Sequence, residues 1–283
     1  MIISIASGKG GTGKTTVAVN LALSLNNVQL LDCDVEEPNA HIFLKPVMPA
    51  KEPVYVPVPE VDKEKCNLCG VCREVCEYKA IAVMPPADGV DGSVLIFSNL
   101  CHGCGACSLL CRRKAIKEVN KEIGIIESGT SGDIKFVHGK LDIGQILAPF
   151  LIREVKKRID SRRTALIDAP PGTSCPAIAA VKGSDYCILV TEPTPFGLND
   201  LILALEVLQK LKIPFGVIIN RFDIGDDKVD KYCRANKIPV LMRIPFDREI
   251  AFLYSRGIPM VEVKAEYGEK FREMFKTITK TAI

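Results

Sequence analysis

No run of apolar residues in this 283-residue chain approaches the roughly 18–20 that a membrane span requires, because charges or prolines interrupt every candidate. Neither charge dominates. With 37 lysines and arginines against 34 aspartates and glutamates, a net charge of +3 gives no electrostatic ground for nucleic acid as the main partner. The first residues, Met1-Ile2-Ile3-Ser4-Ile5-Ala6, lack the positive charge that precedes the apolar stretch of a secretory leader. The three histidines, His41, His102 and His138, stand at no metal-ligand spacing. These absences lead to the expectation of a cytoplasmic protein.

Cysteine, by contrast, is abundant. Eight of the twelve cysteines fall between Cys66 and Cys111, and in a reducing compartment such clustering points to metal rather than to disulfides. The other four, Cys33, Cys175, Cys187 and Cys233, lie in or near apolar segments and read as small buried hydrophobes.

A short apolar strand, Ile2–Ala6, leads through a glycine-rich turn into residues 14–25, where Val17, Ala18, Leu21, Ala22 and Leu25 recur at helical spacing. A second strand, Val28–Asp32, precedes a stretch holding Pro46, Pro49, Pro53, Pro57 and Pro59, which reads as an extended linker. After the cysteine-rich stretch, Ile143, Ile146, Leu147, Phe150, Leu151, Val155 and Ile159 mark one face of an amphipathic helix. Strands follow at 165–168, Tyr186–Thr191, Phe215–Asn220 and Val240–Ile244, separated by helical stretches that include 198–211 and 226–237. Apolar strands alternating with helices predict an α/β fold with a mostly parallel sheet covered on both faces. The domain reading is 1–59 and 118–283 for the α/β domain, and 60–117 for a small α+β insert.

Gly8-Lys9-Gly10-Gly11-Thr12-Gly13-Lys14-Thr15 satisfies the G-x-x-x-x-G-K-[ST] pattern between a buried strand and a helix N-terminus, the place where backbone N–H groups can wrap phosphates. In this loop Lys14 would reach the β and γ phosphates, Thr15 would hold Mg²⁺, and Thr16 would donate to the α phosphate. Asp32-Cys33-Asp34 and Asp168-Ala169-Pro170-Pro171-Gly172 place carboxylates at the ends of two strands, where open α/β sheets bind ligands.

The additional lysine, Lys9, makes the loop resemble the deviant Walker A form of the MinD/ParA/Mrp/nitrogenase iron protein class of P-loop ATPases. The likeness extends through Thr191-Glu192-Pro193-Thr194, Asn220-Arg221 and Ile244-Pro245-Phe246-Asp247. The resemblance implies ATP and Mg²⁺ as ligands and an ATP-dependent homodimer. By it, Lys9 would cross to the partner's nucleotide, Asp34 would position the attacking water, Asp168 would support Mg²⁺ through water, and Asn220 would read the adenine.

The insert is an internal duplication: Cys66, Cys69, Cys72, Cys76 with Ala80-Ile81 matches Cys101, Cys104, Cys107, Cys111 with Ala115-Ile116, 35 residues on. Two such runs resemble the bacterial two-cluster ferredoxins, in which the fourth cysteine of each run ligates the other cluster. The resemblance implies two [4Fe-4S] clusters, one on Cys66, Cys69, Cys72 and Cys111, the other on Cys101, Cys104, Cys107 and Cys76. The proline that often follows the fourth cysteine in ferredoxins is replaced by Glu77 and Arg112. Zinc, which also suits four cysteines, usually takes paired C-x-x-C knuckles instead.

The expected activity is ATP hydrolysis by a dimeric switch coupled to electron transfer toward a redox or iron–sulfur partner protein. Two alternatives stand beside it. One is an iron–sulfur carrier, although no C-x-x-C pair lies near the C-terminus. The other is a positioning ATPase; the basic amphipathic stretch with Phe271, Met274, Phe275 and Ile278 resembles the membrane-targeting tail of MinD, against the plainer reading of a packed terminal helix.

Overall fold

The computed structural model describes residues 1–87 and 90–281. Its elements in chain order are β1 (Ile2–Ala6), α1 (Lys14–Ser24), β2 (Val28–Asp32), α2 (Ala40–Leu44), β3 (Val47–Val61), α3 (Val71–Glu74), β4 (Ile81–Met84), β5 (Ser93–Ile96), α4 (Ala106–Leu109), β6 (Ile116–Ser131) and β7 (Ile134–Leu141). They continue with α5 (Ala148–Lys156), β8 (Thr164–Asp168), α6 (Cys175–Val181), β9 (Tyr186–Thr191), α7 (Pro195–Leu211), β10 (Phe215–Asn220), α8 (Lys228–Ala235), β11 (Val240–Ile244), α9 (Arg248–Ser255), α10 (Met260–Val263) and α11 (Ala265–Thr281).

The chain divides into two compact units, one of residues 1–52, 126–140 and 149–283, the other of residues 53–125 and 141–148. The strand order β11-β10-β9-β1-β8-β2-β7-β6-β3 places β1 centrally, and the pairings from β11 through to β7 are parallel. β1 and β2 are fully or nearly fully buried runs, as strands covered on both faces must be. On one face Val17 and Leu21 of α1 meet Phe271, Met274 and Ile278 of α11 in the core. The apolar face of the terminal helix is therefore occupied by packing, which favours the plainer reading of that stretch. No helix among the described residues is long and apolar enough to cross a membrane.

Two of the long helices carry their start signals in sequence. Thr194 caps α7 by accepting from the Gly197 N–H, with Pro195 at the first helical position, and Asp247 caps α9 by accepting from the Glu249 and Ile250 N–H groups.

Three expectations change. The proline-rich stretch is no linker but β3, the terminal strand of the sheet, where a residue without an N–H is tolerated. The helix expected from Ile143 begins at Ala148, because Gly144 sits at φ +82° and breaks the periodicity; Ile143 and Ile146 are exposed. Cys33, Cys187 and Cys233 are buried as expected, but Cys175, the first residue of α6, is exposed.

The second unit is small. Among the described residues it adds the antiparallel pair β4–β5, and Val58, Ala80 and Cys101 form a minor apolar cluster with Cys76 against it. A unit of this size has room for only a limited core.

Candidate functional site

The carboxyl ends of β1, β2, β8 and β10 bring together most of the residues singled out in the sequence. Gly8 is forced by packing: a Cβ there would come within 2.1 Å of the Asp200 carbonyl oxygen on α7. Gly13, at φ +96°, opens α1 without any side-chain cap, which leaves the first-turn N–H groups facing the loop. A Cβ on Gly13 would stand 2.6 Å from Nδ2 of Asn220. That amide donates to the Thr12 carbonyl at 2.8 Å, so in this structure Asn220 braces the phosphate-type loop. Thr12 and Lys14 are buried, Thr15 and Thr16 half-buried, and Gly10 and Gly11 exposed.

Behind the loop three carboxylates gather. Asp32 and Asp168 are register partners on adjacent strands and both are buried. Asp32 has a structural occupation: its oxygens accept the Asp34 N–H at 3.1 Å and the Asn39 and Ala40 N–H groups at 3.0 Å, which ties the β2–α2 loop to the strand end. Burial nevertheless drives its pKa to about 7, against the lowering effect of those bonds. Asp168 is different: no backbone N–H reaches its carboxylate oxygens, and of the nearby hydroxyls only that of Thr15 bears on it. Burial first, and then the Asp32 charge, hold its pKa well above the usual carboxylate value, with Thr15 and Lys14 pulling it partly back. Asp34, half-buried, is lifted by burial to about 6 despite the Lys14 ammonium. A buried carboxylate without a backbone donor, beside a threonine hydroxyl, is the kind of vacancy in hydrogen bonding that a hydrated Mg²⁺ satisfies.

Lys9 is paired within its own chain, its Nζ 3.4 Å from Oε2 of Glu192, whose Oε1 accepts from Arg221 at 2.6 Å. Sequence reasoning gave Glu192 no role; nothing in local spacing joins it to a loop more than 180 residues earlier.

In the second unit the duplication is expressed atom by atom. Left-handed Leu68, Gly70 and Lys79 recur as Gly103, Gly105 and Lys114. The Leu68 and Gly103 N–H groups donate to the thiol sulfurs of Cys66 and Cys101, and those of Ala80 and Ala115 donate to Cys76 and Cys111, at 3.2–3.5 Å. Two pockets result. Cys66, Cys69, Cys72 and Cys111 line one; Cys76, Cys101, Cys104 and Cys107 line the other. Among the described residues no three His, Cys, Asp or Glu side chains converge as they would on a single ion. Burial pushes the thiols of Cys72, Cys101 and Cys107 up, the last to about 11.

A family model described as CbiA, the CobQ/CobB/MinD/ParA nucleotide binding domain, matches residues 3–260. An uncharacterized protein of Methanocaldococcus jannaschii is 30% identical over 285 residues, covering 98% of this chain and 96% of that one. An iron–sulfur cluster carrier protein of Pyrococcus horikoshii is 26% identical, covering 92% and 78% respectively. Among solved structures, the septum site-determining protein MinD of Pyrococcus horikoshii complexed with Mg-ADP superposes with a TM-score of 0.61 at 23% identity, over 99% of this chain and 96% of that one. At that identity the superposition speaks for the fold.

Proposed function

Since the chain belongs to the CobQ/CobB/MinD/ParA nucleotide-binding family and is thus an ATPase of the MinD/ParA type, we propose that it is an ATP-hydrolysing dimeric switch coupled to two [4Fe-4S] clusters in a ferredoxin-like insert, and that it passes electrons to a partner protein. The observation that carries the proposal is the division of eight cysteines into two pockets of four, each taking three from one run and the fourth from the other.

The donor chemistry fits such clusters. Four thiolates on one zinc all lie about 2.3 Å from the metal, whereas a cubane gives each thiolate its own iron and spreads the sulfurs around open space. Backbone N–H groups aimed at four of the sulfurs would stabilise them as thiolates. Raised thiol pKa values mean that loading the pockets releases protons. When bound, the clusters would supply one-electron redox chemistry; the chain's part is to hold them and set their surroundings.

At the nucleotide site Lys14 and the bare helix end would grip the phosphates, Thr15 and Asp168 would hold Mg²⁺, and Asp34 would orient water. In the free enzyme kcat/KM should therefore show an acid limb with a pKa of about 6 or higher, since burial lifts Asp34 to about 6 and raises Asp168 as well. The carboxylates are needed ionised, so activity is retained above that pKa and lost below it. A pH profile with no acid limb above pH 5 would contradict the assignment.

Lys9 would have to leave Glu192 to reach a partner's nucleotide. Lys9→Ala should then lower ATP turnover by about 10³-fold, the scale of a charge supplied in trans, with nucleotide affinity almost unchanged. Steady-state turnover together with equilibrium nucleotide titration checks this, and unaltered turnover would overturn the cross-subunit role.

The carrier reading keeps one specific support, the relatives that bear that name. Transfer of intact clusters to an apo-acceptor would favour it.

A further inference from the structure

The two cysteine pockets derive from one repeated pattern, so the positions at which their walls differ stand out. Shifting the first half by 35 residues carries Val83 onto Glu118, Tyr78 onto Arg113, and Glu77 onto Arg112. Val83 and Arg113 line the pocket of Cys66, Cys69, Cys72 and Cys111; Glu118 and Tyr78 line that of Cys76, Cys101, Cys104 and Cys107. The residue after each closing cysteine follows the same rule, with Arg112 behind Cys111 and Glu77 behind Cys76. Each of these charges is cationic beside the first pocket and anionic beside the second. Glu118 is close in: its Oε1 is 3.0 Å from where a Cβ on Gly105 would stand, inside the Cys104–Cys107 turn.

Resting on the reading of the pockets as cluster sites, we propose that these side chains make the duplicated sites electrically unequal. Arg113 and Arg112 favour an added electron at the Cys66 pocket, and Glu118 and Glu77 disfavour one at the Cys101 pocket, so an electron entering the chain passes from the second to the first. The step balances simply: one electron leaves one site and arrives at the other, no bond is made or broken, and the electron is supplied by an external one-electron reductant.

A second physical effect acts the other way. The first pocket is walled by Leu68, Val71 and Val83 where the second has Gly103, Ala106 and Glu118, and an apolar wall disfavours extra negative charge. The wall difference amounts to a few aliphatic groups, while four charges act together with one sign at each site. The two effects also separate by salt, because Arg113 and Glu118 are exposed and are screened by ions whereas methyl groups are not.

The test is an anaerobic redox titration followed by electron paramagnetic resonance, on the full chain and on Arg113→Gln and Glu118→Gln, at low and at high salt. Iron and sulfide are counted first. Two separate couples are expected. Glu118→Gln should raise the lower couple and Arg113→Gln should lower the upper one, each by up to tenfold in electron partition, about 59 mV for one electron. Both shifts should shrink in high salt. Coincident couples that neither substitution moves, or a Glu118→Gln shift confined to the upper couple, would overturn the proposal while leaving the cluster reading intact. A protein free of iron would overturn both, and the metal count would show it before any potential was measured.

Discussion

Asp168→Asn is expected to stabilise the nucleotide-free protein and, at the same time, to abolish magnesium-dependent ATP turnover. The carboxylate is buried at the end of β8, without a backbone donor, beside Asp32 on the adjacent strand. Its folded-state pKa is raised well above the usual carboxylate value by burial and by the neighbouring Asp32 charge. A carboxyl whose pKa rises on folding is protonated in acid and costs nothing there; it destabilises the fold as pH climbs from about 4 through the raised value. The variant should therefore match the wild type near pH 4 and exceed it increasingly as the pH rises. The gain comes from removing a charge, because the neutral amide escapes the desolvation and the Asp32 repulsion that the ionised carboxylate meets. Loss of the Mg²⁺ support should cost turnover about 10²–10³-fold, the scale of one transition-state electrostatic contact. Thermal melts at several pH values, with and without Mg-nucleotide, give both halves. A variant that melts lower than wild type at pH 8, or that keeps its turnover, contradicts this account of Asp168.

The second large effect concerns which cysteines act together. Cys66→Ala, Cys111→Ala and the double variant should each lose the same half of the bound iron, because Cys111 lines the pocket of Cys66, Cys69 and Cys72 and not that of its own run. Cys66→Ala with Cys101→Ala should lose all of it. Because the clusters would tie the two cysteine runs together, the doubly depleted protein should also become protease-sensitive within residues 53–125. Iron analysis and limited proteolysis read the two consequences. If Cys111→Ala instead silenced the cluster of Cys101, Cys104 and Cys107, the exchange of fourth cysteines would be wrong.

Much of this was legible in residue order because it depends on local chemistry. The first strand, glycine loop and helix announce themselves by an apolar run, glycines that a Cβ would spoil, and 3.6-residue periodicity. The duplicated cysteine runs are legible as a repeat, and it is their resemblance to the two-cluster ferredoxins that implies how they would partner. What escaped was set by distant contacts. Prolines at 49, 53, 57 and 59 suggested a linker, yet a terminal strand has one side on which an absent N–H costs nothing. Gly144 interrupts an apolar periodicity that otherwise reads as helix from Ile143. His41 and His138, unassigned for want of spacing, meet edge to face at 5.2 Å, and His138 bonds Glu127 at 2.9 Å. The Lys9–Glu192 pair is of the same kind, a contact made only by folding.

The coupling of nucleotide to redox centre is tested most directly by the reduction potentials of the anaerobic, iron-loaded protein with and without MgATP. A nucleotide that turned a 1:99 equilibrium into 99:1 would spend about 5.5 kcal/mol on the change, and even a tenfold share of that, directed to the clusters, would appear as a shift of about 59 mV. A shift of that order is the expected result. Potentials and reduction rates that stay the same when MgATP binds, in a chain with its full complement of iron, would contradict it.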